Sequence, residues 1–138
     1  MRRFLISLSL LGLLAVAQAP IHLGLAYAPE PAPVIRLSLR RVRGLLRDHE
    51  NLAIPGVALG LFPETAGHAM LAISVSDAHG KFDFGGQVPA GDYQLVAQYP
   101  GLCTAHVPVT VSPGAKNRQL VFEMTFPGLG ACSSAHLK

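Results

Sequence analysis

The chain contains 138 residues, with 11 Lys or Arg against 8 Asp or Glu, and its formal net charge is +3. This length is enough for one domain plus short extensions. Arg2 and Arg3 lie at the N-terminus; without residues 1–19, nine basic residues face eight acidic ones and the net charge falls to +1. A domain this close to neutral lacks the electrostatic basis of general nucleic-acid binding, and we expect no nucleic-acid partner.

An apolar run follows the two arginines. It reads FLISLSLLGLLAVA at residues 4–17, with the small residues of AQA at 17–19. This order is typical of a secretory signal peptide, and the run is shorter than the roughly 20 residues that a helix needs to cross a bilayer. We therefore expect a helical signal peptide over residues 1–19, a secreted or periplasmic protein, and no transmembrane span in the mature chain. Cleavage after AYA, residues 26–28, and retention of the segment as an anchor stay open as alternatives.

Prolines dominate the next segment, APEPAP at residues 28–33. Their fixed φ favours extended backbone and excludes a helix. We predict a proline-rich tether over residues 20–34, a domain over 35–126, and a C-terminal tail over 127–138.

Apolar residues alternate with a period of two beyond residue 34, which is typical of half-buried strands. In MLAISVSD, for example, Leu71, Ile73 and Val75 share one face, which we expect to be the core face. Between two strands, DAHG suits a turn in which Asp77 binds the backbone and Gly80 adopts a positive φ. Seven strands are predicted, at residues 41–48, 57–62, 70–77, 81–84, 92–99, 106–111 and 119–126. This pattern predicts an all-β fold, a seven-stranded antiparallel Greek-key β-sandwich.

The order of several short motifs resembles the carboxypeptidase regulatory-like domain, a transthyretin-like (prealbumin-like) β-sandwich. The likeness covers about residues 42–126 and includes a family pattern of Thr-Asp-x-x-Gly-x-Phe-x-Phe, in which Ser76 here replaces Thr. The matching residues are Gly44, Leu46, Asp48, Ile54, Pro55, Gly56, Val57, Asp77, Gly80, Phe82, Phe84, Val88, Pro89, Gly91, Tyr93 and Leu95. The resemblance implies an extracytoplasmic accessory domain that contacts protein or carbohydrate, and it carries over no catalytic residue.

The two cysteines lie in similar segments, YPGLC at residues 99–103 and FPGLGAC at 126–132. If 106–111 and 119–126 form an antiparallel hairpin, position 103 lies near position 126 and the tail can turn back. We therefore predict a disulfide between Cys103 and Cys132, which an oxidising compartment allows. The alternative is a tetrahedral zinc site of Cys103, His106, Cys132 and His136, in a periplasmic metal-binding protein.

Catalytic motifs are not apparent, since the sequence contains neither His-Glu-x-x-His nor Gly-x-Ser-x-Gly. Hydroxyisourate hydrolases, which are transthyretin-like enzymes, end in Tyr-Arg-Gly-Ser, whereas this sequence ends in SSAHLK. We therefore expect no enzymatic activity and no cofactor. The expected function is that of a secreted, non-enzymatic β-sandwich module, a binding or structural accessory domain whose protein or carbohydrate partner is unknown.

Five arginines lie between residues 36 and 47. They suit the solvated face of an edge strand, where charge discourages pairing with other chains. If the segment forms one strand, Arg41 and Arg43 share a side by alternation, and we predict that they form, together with Arg36, a face that could bind an anionic partner.

Overall fold

The structure is a computed structural model, which describes residues 24–29, 35–128 and 133–138. The predicted signal peptide over 1–19 lies outside the described residues. Within these ranges the chain forms nine strands and one short 3₁₀ turn, Ala66–His68. The strands are β1 (Leu37–Leu39), β2 (Arg43–Arg47), β3 (Ala58–Pro63), β4 (Ala72–Val75), β5 (Lys81–Asp83), β6 (Gly91–Gln98), β7 (Ala105–Val111), β8 (Leu120–Met124) and β9 (Ser133–Leu137). No helix in these ranges is long and apolar enough to cross a membrane.

The strands form two sheets, as predicted. One has five strands in the order β1-β7-β6-β3-β4, and the other has four in the order β5-β2-β8-β9. The predicted count of seven is wrong, because β1 is three residues long and the SSAHL of β9 has no apolar alternation. The wholly antiparallel prediction is also wrong: β1 pairs with β7 and β2 with β8 in parallel. Part of the predicted tail is thus an edge strand of the sandwich.

The predicted hairpin between the last two core strands is wrong. Strand β7 pairs with β6 and β1 in one sheet, whereas β8 pairs with β2 and β9 in the other. The loop at residues 112–119 therefore crosses from sheet to sheet. Position 103 nevertheless lies near position 126, as predicted. The N–H of Cys103 donates to the Thr125 carbonyl at 2.9 Å.

The core lies between the sheets and is filled by the inward-facing residues of both. Leu59, Leu61 and Leu95 from the five-stranded sheet are buried against Leu46 and Phe122 from the four-stranded sheet. Their alternation with outward-facing residues is the predicted period of two. Phe126, at the end of the predicted strand 119–126, lies beyond β8 and is 51% exposed, so the core-facing residues of this strand end at Met124.

Strand β4 faces opposite to the prediction. Val75 pairs with Ala58 and Ile73 with Gly60. These partners alternate with Leu59 and Leu61, which point into the core, so Val75 and Ile73 point outward and are 58% and 38% exposed. A register shift of one residue turns every side chain of a strand to the other face.

The outer face of the five-stranded sheet is the one turned away from the four-stranded sheet, and part of it is covered. Residues 24–29, which we call the outer strap, lie across it. Ala28 N–H donates to Gln94 Oε1 at 2.8 Å, and Gln94 Nε2 donates back to the Ala28 carbonyl. Gln94, Val96 and Phe62 are consequently buried although they point away from the main core. Part of the predicted tether therefore packs onto the domain.

Candidate functional site

An open cleft of about 940 Å³ lies on the outer face, beside one end of the outer strap. One side is a row of Val75, Ala58, Gln98 and Thr104. Val75 pairs with Ala58, and Ala58 pairs with Gln98. Since β6 and β7 run antiparallel with Ala97 opposite Ala105, Gln98 lies opposite Thr104. The row therefore crosses four strands on one face.

The opposite side of the cleft is made by two loops. One is Pro55–Gly56, and the other is the turn from Tyr99 to Leu102. In this turn the Leu102 N–H donates to the Tyr99 carbonyl at 3.2 Å, and Gly101 has a φ of 82°. A positive φ favours glycine, so the Pro-Gly of the YPGL segment forms the reversal. We call this cavity the Tyr99 cleft.

The lining of the Tyr99 cleft is neutral and mainly apolar. It contains no charged side chain, and its polar side chains are Gln98, Tyr99 and Thr104. Gln98 Oε1 is buried and has no hydrogen-bond partner among the described residues. An unpaired buried carbonyl oxygen is costly, and a ligand hydroxyl or N–H group can pair with this oxygen once the Gln98 side chain turns toward the cleft.

The outer strap lies close to Gln98. A side chain built on Gly24 would lie 3.4 Å from Gln98 Nε2, so the strap backbone passes close to the amide. Gln94, four residues earlier on the same face, is held by Ala28. The strap and the cleft therefore share the outward-facing side of β6.

No sequence pattern predicted this site. By alternation, Gln94 and Gln98 fall on the solvent side of β6 and Tyr99 on its core side. Tyr99 is packed against the core and also lines the cleft, so one residue has both roles. The signal that could have indicated the site is the placement of two amide side chains on one face of a strand that has no charge beyond Asp92.

Of the two cysteines in the predicted disulfide, the structure describes Cys103. Cys103 is buried beside the end of β8, and no cysteine within the described residues is free. Cys132 lies outside the described residues. The pairing of the two cysteines stays a prediction.

The structure does not bring together the two histidines of the four-ligand zinc alternative. His106 lies on the outer face of the five-stranded sheet, where its Nδ1 is 3.3 Å from Gln94 Oε1. His136 is exposed on β9, where it alternates with the core-facing Ala135 and Leu137. The two histidines are thus on opposite outer faces of the sandwich. The described part of the chain contains no group of three His, Cys, Asp or Glu residues that could hold a metal ion.

The predicted arginine face is divided between the sheets. The single strand that the prediction assumed is wrong, because β1 and β2 belong to different sheets. Arg36 forms an ion pair with Glu64 at 2.7 Å, and Arg41 forms one with Asp83 at 2.8 Å. Arg43 donates to the Asn117 side chain at 3.1 Å. Binding of an anionic partner stays a prediction, and two of its three arginines already have carboxylate partners.

Comparison with solved structures places the fold among transthyretin-like proteins. The 5-hydroxyisourate hydrolase of Klebsiella pneumoniae superposes with a TM-score of 0.55 and 21% identity, over 72% of this chain and 99% of that one. Sea bream transthyretin in complex with thyroxine gives 0.51 and 20%, over 71% and 96%. Transthyretin from Sparus aurata gives 0.51 and 19%, over 72% and 98%. At these identities the likeness shows the fold alone. No curated protein matches the chain in sequence.

These comparisons overturn one prediction. The expectation of a non-enzymatic module is wrong. It assumed that this β-sandwich pattern has a structural role only, whereas an enzyme, a 5-hydroxyisourate hydrolase, has the same fold. The resemblance to the regulatory-like domain is confirmed, since residues 41–125 match the family model of the carboxypeptidase regulatory-like domain. This match covers more than half of the sequence, and the chain therefore belongs to the carboxypeptidase regulatory-like domain family.

Proposed function

We propose that this protein is an extracytoplasmic ligand-binding domain that holds a neutral sugar residue in the Tyr99 cleft. The observation that carries the proposal is a large open cleft whose lining has no charge and has three polar side chains. A charged ligand would lose its hydration there without gaining an opposite charge. A purely apolar ligand would leave the Gln98 oxygen unpaired.

A sugar ring suits both kinds of surface. Its apolar face can pack on the Tyr99 ring and on the apolar walls at Pro55, Val75 and Leu102, while its hydroxyl groups reach Gln98 and Thr104. Most ligand sites combine an apolar lining with a few polar groups that fix orientation. The volume of about 940 Å³ falls within the usual range for small-molecule sites, about 300–1,000 Å³.

Export and a disulfide belong to the same proposal. The signal-peptide pattern over residues 1–19 supports a secreted or periplasmic location. An oxidising compartment would allow Cys103 to pair with Cys132. The bond would join the end of the Tyr99–Leu102 turn, one wall of the cleft, to the segment that precedes β9.

The test is calorimetric titration of the folded protein with a panel of neutral oligosaccharides and a matched panel of uronic-acid oligosaccharides. We expect binding in the neutral panel. Gln98→Leu keeps the side-chain volume and removes the acceptor, so it should weaken binding about tenfold, the cost of one lost hydrogen bond. Gln87→Ala, an exposed glutamine outside the cleft, is the control and should bind normally.

Two results separate a folding effect from a binding effect. Because Gln98→Leu removes an unpaired buried oxygen, its melting temperature should stay the same or rise while its affinity falls. No binding in either panel, or equal affinity of the wild type and Gln98→Leu, would contradict the proposal.

A further inference from the structure

Six basic residues lie together at one end of the sandwich, where β2 and β8 begin and β5 and β9 end. They make up two thirds of the nine Lys and Arg residues beyond position 19. Five of the six are exposed, and Arg43 is half-buried. We call this set the basic end, and its members are Arg40, Arg41, Arg43, Lys116, Arg118 and Lys138.

Hydrogen bonds hold the separate segments of the basic end side by side. Arg43 Nη2, on β2, donates to Asn117 Oδ1 at 3.1 Å, so the connection between β7 and β8 lies against the start of β2. The Lys138 N–H donates to the Gln119 carbonyl at 2.9 Å, which places the end of β9 beside the same connection. The six basic residues therefore surround one patch of surface.

Few carboxylates lie in this patch. Asp83 forms an ion pair with Arg41 at 2.8 Å, and the other five basic side chains form no ion pair with a carboxylate among the described residues. The connections at residues 84–90 and 112–119, which reach this end, contain no Asp or Glu. The positive charge of the basic end is thus mostly uncompensated.

Most other acidic residues of the sandwich lie away from the basic end. Glu64 and Asp92 are on the outer side of the five-stranded sheet, 2.7 Å and 3.8 Å from Arg36. The opposite end, beyond the last residue of β2, carries Asp48, Glu50 and Asp77. The Tyr99 cleft is also at that opposite end, because its turn follows β6, which begins beside the end of β7. Charge is therefore polarised along the strands.

One donor of the basic end has no acceptor. Arg43 Nε is buried and unpaired among the described residues, which is costly for a charged group. Once this side chain turns toward the surface, its guanidinium can donate two N–H groups to one oxyanion. Phosphate groups offer such oxygens.

We propose that the basic end binds the surface of an anionic lipid bilayer through the phosphate groups of its lipids. The six residues lie on separate connections and at a strand end, so a flat surface can meet them together. A single linear polysaccharide would reach only those that lie along one line. Docked in this way, the domain presents the Tyr99 cleft on the side away from the bilayer. The inference does not depend on what the Tyr99 cleft binds.

The experiment measures co-sedimentation of the folded protein with vesicles of equal parts phosphatidylglycerol and phosphatidylcholine, and with vesicles of phosphatidylcholine alone. We expect binding to the anionic vesicles and none to the neutral ones. Binding should be lost between about 0.1 M and about 1 M salt, since the Debye length falls there from about 10 Å to about 3 Å.

Variants test which residues carry the binding. Arg40→Gln and Arg118→Gln each remove one exposed charge that has no carboxylate partner, so each should weaken binding about fivefold and leave the melting temperature unchanged. Arg47→Gln is the matched control. It lies four residues from Arg43 on β2, about 13 Å away, and should bind like the wild type.

Lipids that carry a nitroxide on the head group locate the contact independently of any variant. Amide signals of residues 84–90 and 112–119 should broaden when the protein is bound, whereas those of Gly56 and Gly101 in the Tyr99 cleft should not. Equal binding to anionic and neutral vesicles, or broadening centred on the cleft, would overturn the proposal. Tighter binding per anionic group to soluble polygalacturonate than to the vesicles would also overturn it and would assign the basic end to an acidic polysaccharide.

Discussion

Gly44 is the tightest point of the four-stranded sheet. It pairs with Phe82 on one side and with Leu120 on the other. A Cβ at this position would overlap the Leu120 carbonyl oxygen and lie 2.9 Å from the Phe82 ring. Its backbone has an ordinary φ, so the requirement for glycine is one of space. This gives the first glycine of the family pattern a physical role.

Gly44→Ala should therefore destabilise the protein by about 1–3 kcal/mol, the usual cost of overpacking a core. Chemical denaturation followed by fluorescence or circular dichroism measures this difference. The matched control is Gly86→Ala, since a Cβ there meets no atom within 4 Å. Equal stability of Gly44→Ala and the wild type would contradict this account of the sheet.

Asp77 forms the predicted turn. Its Oδ1 accepts hydrogen bonds from the backbone N–H of His79 at 2.8 Å and of Lys81 at 2.9 Å, and Gly80 has a φ of 73°. The Lys81 hydrogen bond first, and then the His79 one, lowers the pKa of the Asp77 carboxyl below its ordinary value of 3.8. These bonds favour the ionised form.

The sign of the pH dependence follows from this lowered pKa. The carboxyl stabilises the folded turn at pH values above its unfolded pKa, and that contribution is lost as the pH falls through the lower folded pKa. An NMR titration should show the Asp77 carboxyl carbon titrating below pH 3.8, together with the Lys81 amide. In Asp77→Asn, which keeps an acceptor oxygen but no ionisable group, the Lys81 amide should lose this transition. An Asp77 carboxyl that titrates at or above its ordinary value would contradict the assignment.

Single residues could be assigned to the core where apolar residues alternate with small or polar ones. Leu59 is an example, because its outer neighbours on β3, Ala58 and Gly60, are small. Gln94 could not be assigned in this way. Alternation puts Gln94 on the outer face of β6. Its burial there depends on the outer strap, which is more than sixty residues away in sequence. A polar side chain suits this position because the Gln94 amide binds the backbone of Ala28. No local sequence pattern indicates that contact.

Strands were easier to find than their partners. The seven predicted runs each overlap an observed strand, whereas β1 and β9 were missed. The face of β4 was predicted wrongly because both of its faces carry apolar residues, Ala72 on one and Ile73 and Val75 on the other. Its register is set by pairing with β3 and not by its own alternation.

The predicted disulfide between Cys103 and Cys132 would mainly stabilise strand β9. Cys103 is buried next to Thr125 at the end of β8, and β9 begins at Ser133. A bond between Cys103 and Cys132 would close a loop of about 30 residues and add about 3–4 kcal/mol of stability in the loop-entropy model. It would also fix one end of β9, an edge strand that pairs with β8 alone.

We expect reduction to lower the melting temperature and to speed amide exchange of residues 133–137 more than that of β6. Mass spectrometry after blocking free thiols should find neither cysteine alkylated without reductant and both alkylated with it. Cys103→Ala should reproduce the effect of reduction on β9. Two alkylated cysteines in the untreated, exported protein would show that the bond does not form.

At the scale of the whole molecule, the two outer faces differ. The four-stranded sheet presents Arg43 and Arg47 on its exposed side, whereas the five-stranded sheet carries the outer strap and the Tyr99 cleft. The class of fold was predictable because alternation and turn residues recur throughout the chain. The cleft was not, because it is made by three separate segments that only the sheet order brings together.

A two-dimensional NMR titration of the isotope-labelled protein with the tightest-binding neutral oligosaccharide would locate the ligand on the sandwich. We expect the shifted signals to cluster at Gly56, Gln98, Gly101 and Thr104, the Gln98 side-chain amide among them. Signals of the opposite sheet, such as Gln119 and His136, should not move. Shifts that cluster away from the Tyr99 cleft, or a saturating titration that leaves the Gln98 amide unmoved, would contradict the proposed site.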